Sequence, residues 1–173
     1  MKTVVVSLAG ASRPPRKVVQ ESRWKHSAPL LHTSVDSSLY LLRHWLEDTT
    51  EKGTESTEQL VLSHLRRKLS SYRNQDIEKG LLDEAMFVTL KYTVELMLES
   101  GLQCHFCRES LRVLYEECRD PLQWSLDRID NTKGHNEGNV YVVCLRCNLR
   151  RRRQDHDRFY FTKQVVWKKV EEE

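Results

Sequence analysis

Two Cys-x-x-Cys pairs carry the first chemical signal in the chain: Cys104-His105-Phe106-Cys107 and Cys144-Leu145-Arg146-Cys147. Four soft thiolates are the ligand set of a closed, tetrahedral structural zinc site. The insert between the pairs, residues 108–143, is longer than a plain zinc ribbon uses and has room for a second, functional site. Within it runs Trp124-Ser125-Leu126-Asp127-Arg128-Ile129-Asp130-Asn131-Thr132-Lys133-Gly134-His135. Directly after the second pair come Asn148 and the run Arg150-Arg151-Arg152-Arg153. Asp127 offers a hard carboxylate oxygen and Asn148 an amide oxygen. Both suit Mg²⁺ or Mn²⁺, with water and a phosphate oxygen completing the coordination. Arginine forks match phosphate geometry, so Arg146 and Arg150 to Arg153 are candidates to hold a nucleic-acid backbone.

These residues need elements to position them. Trp124 to Ile129 alternates as a strand does, Asn131 to Gly138 is a polar loop, and Asn139 to Val143 is a β-branched strand that delivers Cys144. From Cys147 to about Arg158 the chain is basic and is expected to be helical. The order is knuckle, strand, loop, strand, knuckle, helix. In such a ββα arrangement a ligand at the end of the first strand can face one at the start of the helix. A further short strand is expected at Leu111–Tyr115. Upstream, Asp36-Ser37-Ser38 reads as an N-cap for a helix bearing Leu39, Leu42, Trp45 and Leu46. The polar break Thr49–Thr54 separates it from a second helix, Ser56–Tyr72. Asn74–Asp76 is expected to cap a third, strongest over Leu81–Glu99 and closed by Ser100-Gly101. His44 and His64 fall on these helices and receive no role, and the Met and Leu stripe of the third helix reads as core.

Leu126-Asp127-Arg128-Ile129-Asp130-Asn131, Gly134-His135, Asn139-Val140 and Cys144-x-x-Cys147-Asn148 together resemble the zinc-bound HNH (His-Me finger) endonucleases. The likeness is greatest to the forms in phages and large DNA viruses, including the recombination endonuclease VII type. It covers about residues 100–155. The resemblance implies an α+β chain: an N-terminal helical region followed by a small zinc-stabilised ββα-metal module. It implies Asp127 and Asn148 as ligands of a catalytic Mg²⁺ or Mn²⁺, Asn139 as the brace of the loop, and Cys104, Cys107, Cys144 and Cys147 as zinc ligands. It implies DNA, double-stranded or branched, as substrate. One departure matters. The family's general base follows the metal-binding Asp, and here that position is Arg128. Arginine stays protonated and takes no proton from water. His135 is the nearest substitute, with the alternative that it makes a structural hydrogen bond. Asp130 is either a further ligand or a turn residue, and His156 is expected to be exposed.

The whole chain sets bounds on these readings. Its 173 residues suit one domain or a small domain with appendages. We divide it into a flexible basic arm (1–35), a helical region (36–100), the zinc-bound module (101–158) and a tail (159–173). A charged fraction of 31% and a net charge of +3 describe a polar protein whose basic residues cluster at Arg13–Lys17, Arg66–Lys68 and Arg146–Arg158. Local basic density is the footprint of a polyanion partner. Five cysteines leave Cys118 over, which fits a reducing compartment and an intracellular, cytoplasmic or nuclear protein. No run reaches the roughly 20 apolar residues of a membrane span. Three functions stay open: a metal-dependent DNA endonuclease; a catalytically degenerate module of the same fold that binds nucleic acid; and a zinc-stabilised interaction module whose helical region takes a protein partner or a second copy.

Overall fold

The computed structural model describes residues 34–47 and 56–164. The arm up to residue 33, the polar break and the end of the tail, with Val165-Val166-Trp167, lie outside the described residues. The architecture is α+β. Three helices, α1 (Val35–Glu47), α2 (Ser56–Glu78) and α3 (Leu90–Glu99), precede a two-stranded antiparallel sheet, β1 (Trp124–Arg128) and β2 (Val140–Cys144), followed by α4 (Leu145–Arg151) and α5 (His156–Gln164). No helix among the described residues is long and apolar enough to cross a membrane.

Helix boundaries differ from those expected, each for a local reason. Ser34, not Asp36–Ser38, starts α1: its Oγ accepts the backbone N–H of Ser37 at 3.1 Å. Asn74–Asp76 does not cap a new helix, because α2 runs on through it. Its end is set by Gly80 at φ +65°, where Leu81 N–H donates to Asp76 O and Gly80 N–H to Ile77 O. That pair of bonds is a Schellman closure. The expected helix Leu81–Glu99 is therefore half loop. Residues 81–89 are drawn out of helix by pairing with a distant segment: Val88 N–H donates to His135 O, and Glu137 N–H to Met86 O. Helix starts only at Thr89, whose side chain accepts Tyr92 N–H, and stops at Ser100-Gly101 as expected.

Leu111–Tyr115 is not a strand. It makes only a single bridge, Arg112 to Gln123, and buries Leu111, Val113, Leu114 and Tyr115 as loop side chains. β1 and β2 pair from Trp124↔Cys144 to Arg128↔Val140. This register sets Asp127 opposite Tyr141 and carries Cys144 to the start of α4. The basic stretch after Cys147 is two helices, broken where Arg152 takes φ +53°. One apolar cluster joins Leu42 and Leu65 of the leading helices, Met97 of α3, Phe106 of the first knuckle, and Trp124 and Val143 of the sheet. The helices thus share one core with the sheet, and α2 reaches β1, where Tyr72 OH accepts Leu126 N–H.

Candidate functional site

The first cluster is the thiol set. The Sγ atoms of Cys104, Cys107, Cys144 and Cys147 all lie within 4.8 Å of one another. Cys107 and Cys144 Sγ are 3.8 Å apart, and no cysteine is in a disulfide. Metal–sulfur bonds of about 2.3 Å in a tetrahedron put sulfurs about 3.8 Å apart, so the spacing fits a metal ion such as zinc. Each knuckle is shaped by its own backbone. Arg108 N–H donates to Cys104 O with Arg108 at φ +59°, and Cys144 caps α4 by accepting Cys147 N–H. Cys118 is exposed and stands outside the cluster.

The second cluster is a polar pocket of about 120 Å³. Asp127, Arg128, His135, Asn148 and Arg152 line it, together with Tyr72, Gln75 and Lys79 from α2. Four residues singled out by sequence as catalytic or metal-binding therefore share one cavity. Asn148 donates its amide nitrogen to Leu126 O at 2.9 Å and Ser125 Oγ at 3.2 Å, which leaves its oxygen for the pocket. Asp127 is buried, and burial pushes its carboxyl up to about 6 against the lowering pull of Arg151. Its Oδ2 accepts Arg151 Nη1 at 2.9 Å; Oδ1 has no such partner among the described residues. Asn139 sits behind the pocket. Its amide nitrogen donates to Asp130 O and Gly134 O while its oxygen accepts Asp130 N–H, so it braces the loop.

The arginines do not form one surface. Arg151 is 1% exposed, and besides Asp127 it donates to Arg128 O and Ile129 O. It is a structural counter-ion and is removed from the candidate phosphate contacts. The cause is helical phase: the face of α4 that carries Asn148 and Arg151 looks at the end of β1. Arg150, Arg152 and Arg153 are exposed, and Arg146 pairs with Glu109 at 2.5 Å. Arg128 is mostly enclosed, donating to Lys133 O at 3.0 Å and lying 4.0 Å from Asp76. Asp130 is a turn residue: Thr132 donates both its hydroxyl and its N–H to Oδ1, which holds the carboxyl below its ordinary range.

His156 is not exposed as expected. Its Nε2 lies 3.1 Å from His105 Nε2, and its ring packs with Tyr141 and Phe106. His64 is buried at the edge of Tyr115, while His44 stays half exposed near Glu58.

Sequence reasoning missed Asp76. It is fully buried, yet it belongs to a helix whose inward stripe is otherwise Leu65, Leu69 and Tyr72. An acid in phase with an apolar stripe was the available signal, since a buried carboxylate requires a partner. That partner is His135. No family model matches the chain, and neither do curated proteins or solved structures.

Proposed function

We propose that the protein is a metal-dependent endonuclease of the HNH type that hydrolyses DNA phosphodiesters and carries a structural zinc. The observation that carries this reading is the meeting of Asp127 and Asn148 in one polar pocket, each with an oxygen not engaged by the protein. Two hard oxygens suit Mg²⁺ or Mn²⁺, which takes one or two protein ligands and fills its remaining positions with water and substrate phosphate. Bound there, such an ion supplies charge neutralisation at the scissile phosphate. The protein's own groups do the rest. Arg152 at the pocket rim and exposed Arg150 and Arg153 hold the phosphate backbone. Asn139 keeps the loop of residues 130–134 in shape. The four thiols hold zinc, which ties the first knuckle to the start of α4 and so fixes Asn148 relative to β1. Arg128 takes no proton; its enclosed charge adds to the positive field of the pocket.

A second reading has its own support. The Asp127–Arg151 ion pair competes with a cation for the carboxylate, as expected of a non-cutting module that binds nucleic acid. The deciding experiment is incubation of pure protein with supercoiled, linear, single-stranded and branched DNA in Mg²⁺ or Mn²⁺. Cleavage that disappears with EDTA and in Asp127→Ala supports the nuclease. Salt-sensitive binding with no cleavage on any substrate supports the binding module.

A further inference from the structure

Arginine at the strand-end position leaves hydrolysis without its usual proton acceptor. We propose that His135 is the general base of this site and that Asp76, on α2, is its positioning residue. The inference rests on the nuclease reading and adds to it a part for the helical region.

Asp76 gives both carboxylate oxygens to residue 135. Oδ2 accepts the backbone N–H at 2.6 Å, and Nδ1 of the ring stands 2.9 and 3.0 Å from Oδ1 and Oδ2. An ionised carboxylate only accepts, so Nδ1 carries the proton and Nε2 keeps the lone pair. The Tyr72 ring lies 4.6 Å from the imidazole and covers one face. The loop has no slack either. A Cβ at Gly134 would sit 2.5 Å from Leu81 O and 2.9 Å from Asp76 Oδ2, and His135 O accepts Val88 N–H. The imidazole is thus fixed from several sides in the wall that also holds Asp127 and Asn148.

The other pocket groups are unsuited to the task. Arg128, Arg152 and Lys79 are cations, and burial pushes the Tyr72 phenol up to about 12. Asp127 is assigned to the cation. The charged groups facing His135 are Asp76 and Lys79 of α2 and Arg128 of β1. Burial, the largest influence, lowers its pKa, with Asp76 raising it and Arg128 and Lys79 lowering it. The ring is therefore neutral at pH 7 and able to accept. In the step, Nε2 takes a proton from water. The water oxygen bonds to phosphorus as the bond from phosphorus to the leaving sugar oxygen breaks. Solvent protonates that oxygen, and the imidazolium returns its proton to solvent.

The test uses full-length protein, supercoiled plasmid and Mn²⁺, with His135→Gln, Asp76→Asn and the double variant. Each single change is expected to lower kcat by about 10²–10⁴-fold with DNA affinity unchanged. The double variant should lose no more than the worse single one, as for groups acting as a unit. The acid limb of the pH–rate profile should keep only the contribution of Asp127 in His135→Gln and should move to lower pH in Asp76→Asn. Imidazole should restore part of the rate to His135→Ala, which a purely structural role does not predict. Independently of activity, ¹⁵N NMR should find His135 protonated at Nδ1 in wild type and a mixed tautomer in Asp76→Asn. Folded His135→Gln cutting at the wild-type rate, or wild-type His135 protonated at Nε2 alone, overturns the inference and leaves the nuclease reading standing. Wild type that cuts no DNA overturns both, whatever the tautomer.

Discussion

The thiol cluster and the polar pocket lie at opposite ends of the same hairpin and are built in different ways. The thiols come in two pairs, each held by a knuckle of its own backbone, and a bond from His105 N–H to Val142 O seats the first knuckle on β2 beside the second. The pocket draws on α2, β1, the loop at His135 and α4, with Asp76 and His135 59 residues apart in sequence. A metal centre of soft ligands tolerates local construction because the ion itself finishes the geometry. A pocket with the proposed hydrolytic role must have its acid–base groups set before substrate arrives, and only long-range packing does that. The first cluster can therefore survive damage to the second, but not the reverse.

Removing the thiol cluster is the harshest way to test this. Structural zinc contributes about 10–16 kcal/mol to small metal domains. The Cys104→Ser, Cys147→Ser double variant is expected to lose both metal and the cooperative unfolding transition, as is wild type stripped by a strong chelator. Cys118→Ser should change neither. Circular dichroism melts with metal analysis read the outcome, and a double variant that melts like wild type breaks the comparison.

Asp127→Ala acts in the opposite sense. It should abolish cleavage and cost about 3–5 kcal/mol, because Arg151 is left as a buried, uncompensated charge. Metal content should stay at one zinc per chain. Denaturant unfolding and metal analysis on one sample separate the two effects.

Gly134→Ala is a milder probe of the pocket alone. Its Cβ must displace Leu81 O or the Asp76 carboxylate, for a loss of about 1–3 kcal/mol. Cleavage should fall more than stability does, with the thiol cluster untouched.

The smallest expected effect is at the surface. Arg150, Arg152 and Arg153 changed together to Ala should flatten the slope of log affinity against log salt by up to about three units, at about 0.9 per phosphate. Adding Arg151→Ala should not flatten it further but should destabilise the fold, since that guanidinium faces inward.

Stability against pH tests the pocket in its resting state. His135 is held below its ordinary pKa, so the unfolded chain binds the proton more readily than the folded one. The stability it supports is present above about pH 6.5 and fades as pH falls through the folded value. His135→Gln should flatten that part of the curve.

What the sequence alone determined was whatever depends on near neighbours. The spacing of Cys104 with Cys107 and of Cys144 with Cys147 was enough to name the thiol cluster, since two residues between ligands already form a knuckle. Alternation marked β1 and β-branched residues marked β2, each within a residue, because both signals are written in the strand's own side chains. Residues 81–89 show the limit: apolar content reads as helix there, while the closure at Gly80 and the bonds to His135 and Glu137 keep them in loop and turn. Arg151 shows it again, since composition places it among four equal arginines. The phase of α4 against β1 buries it alone. Asp76 is the strongest case. Its phase with Leu65, Leu69 and Tyr72 pointed to burial, but no near neighbour in the chain named its partner. That was decided by the packing of α2 against the loop, which takes the acid out of water and sets His135 against it, with Arg128 4.0 Å away.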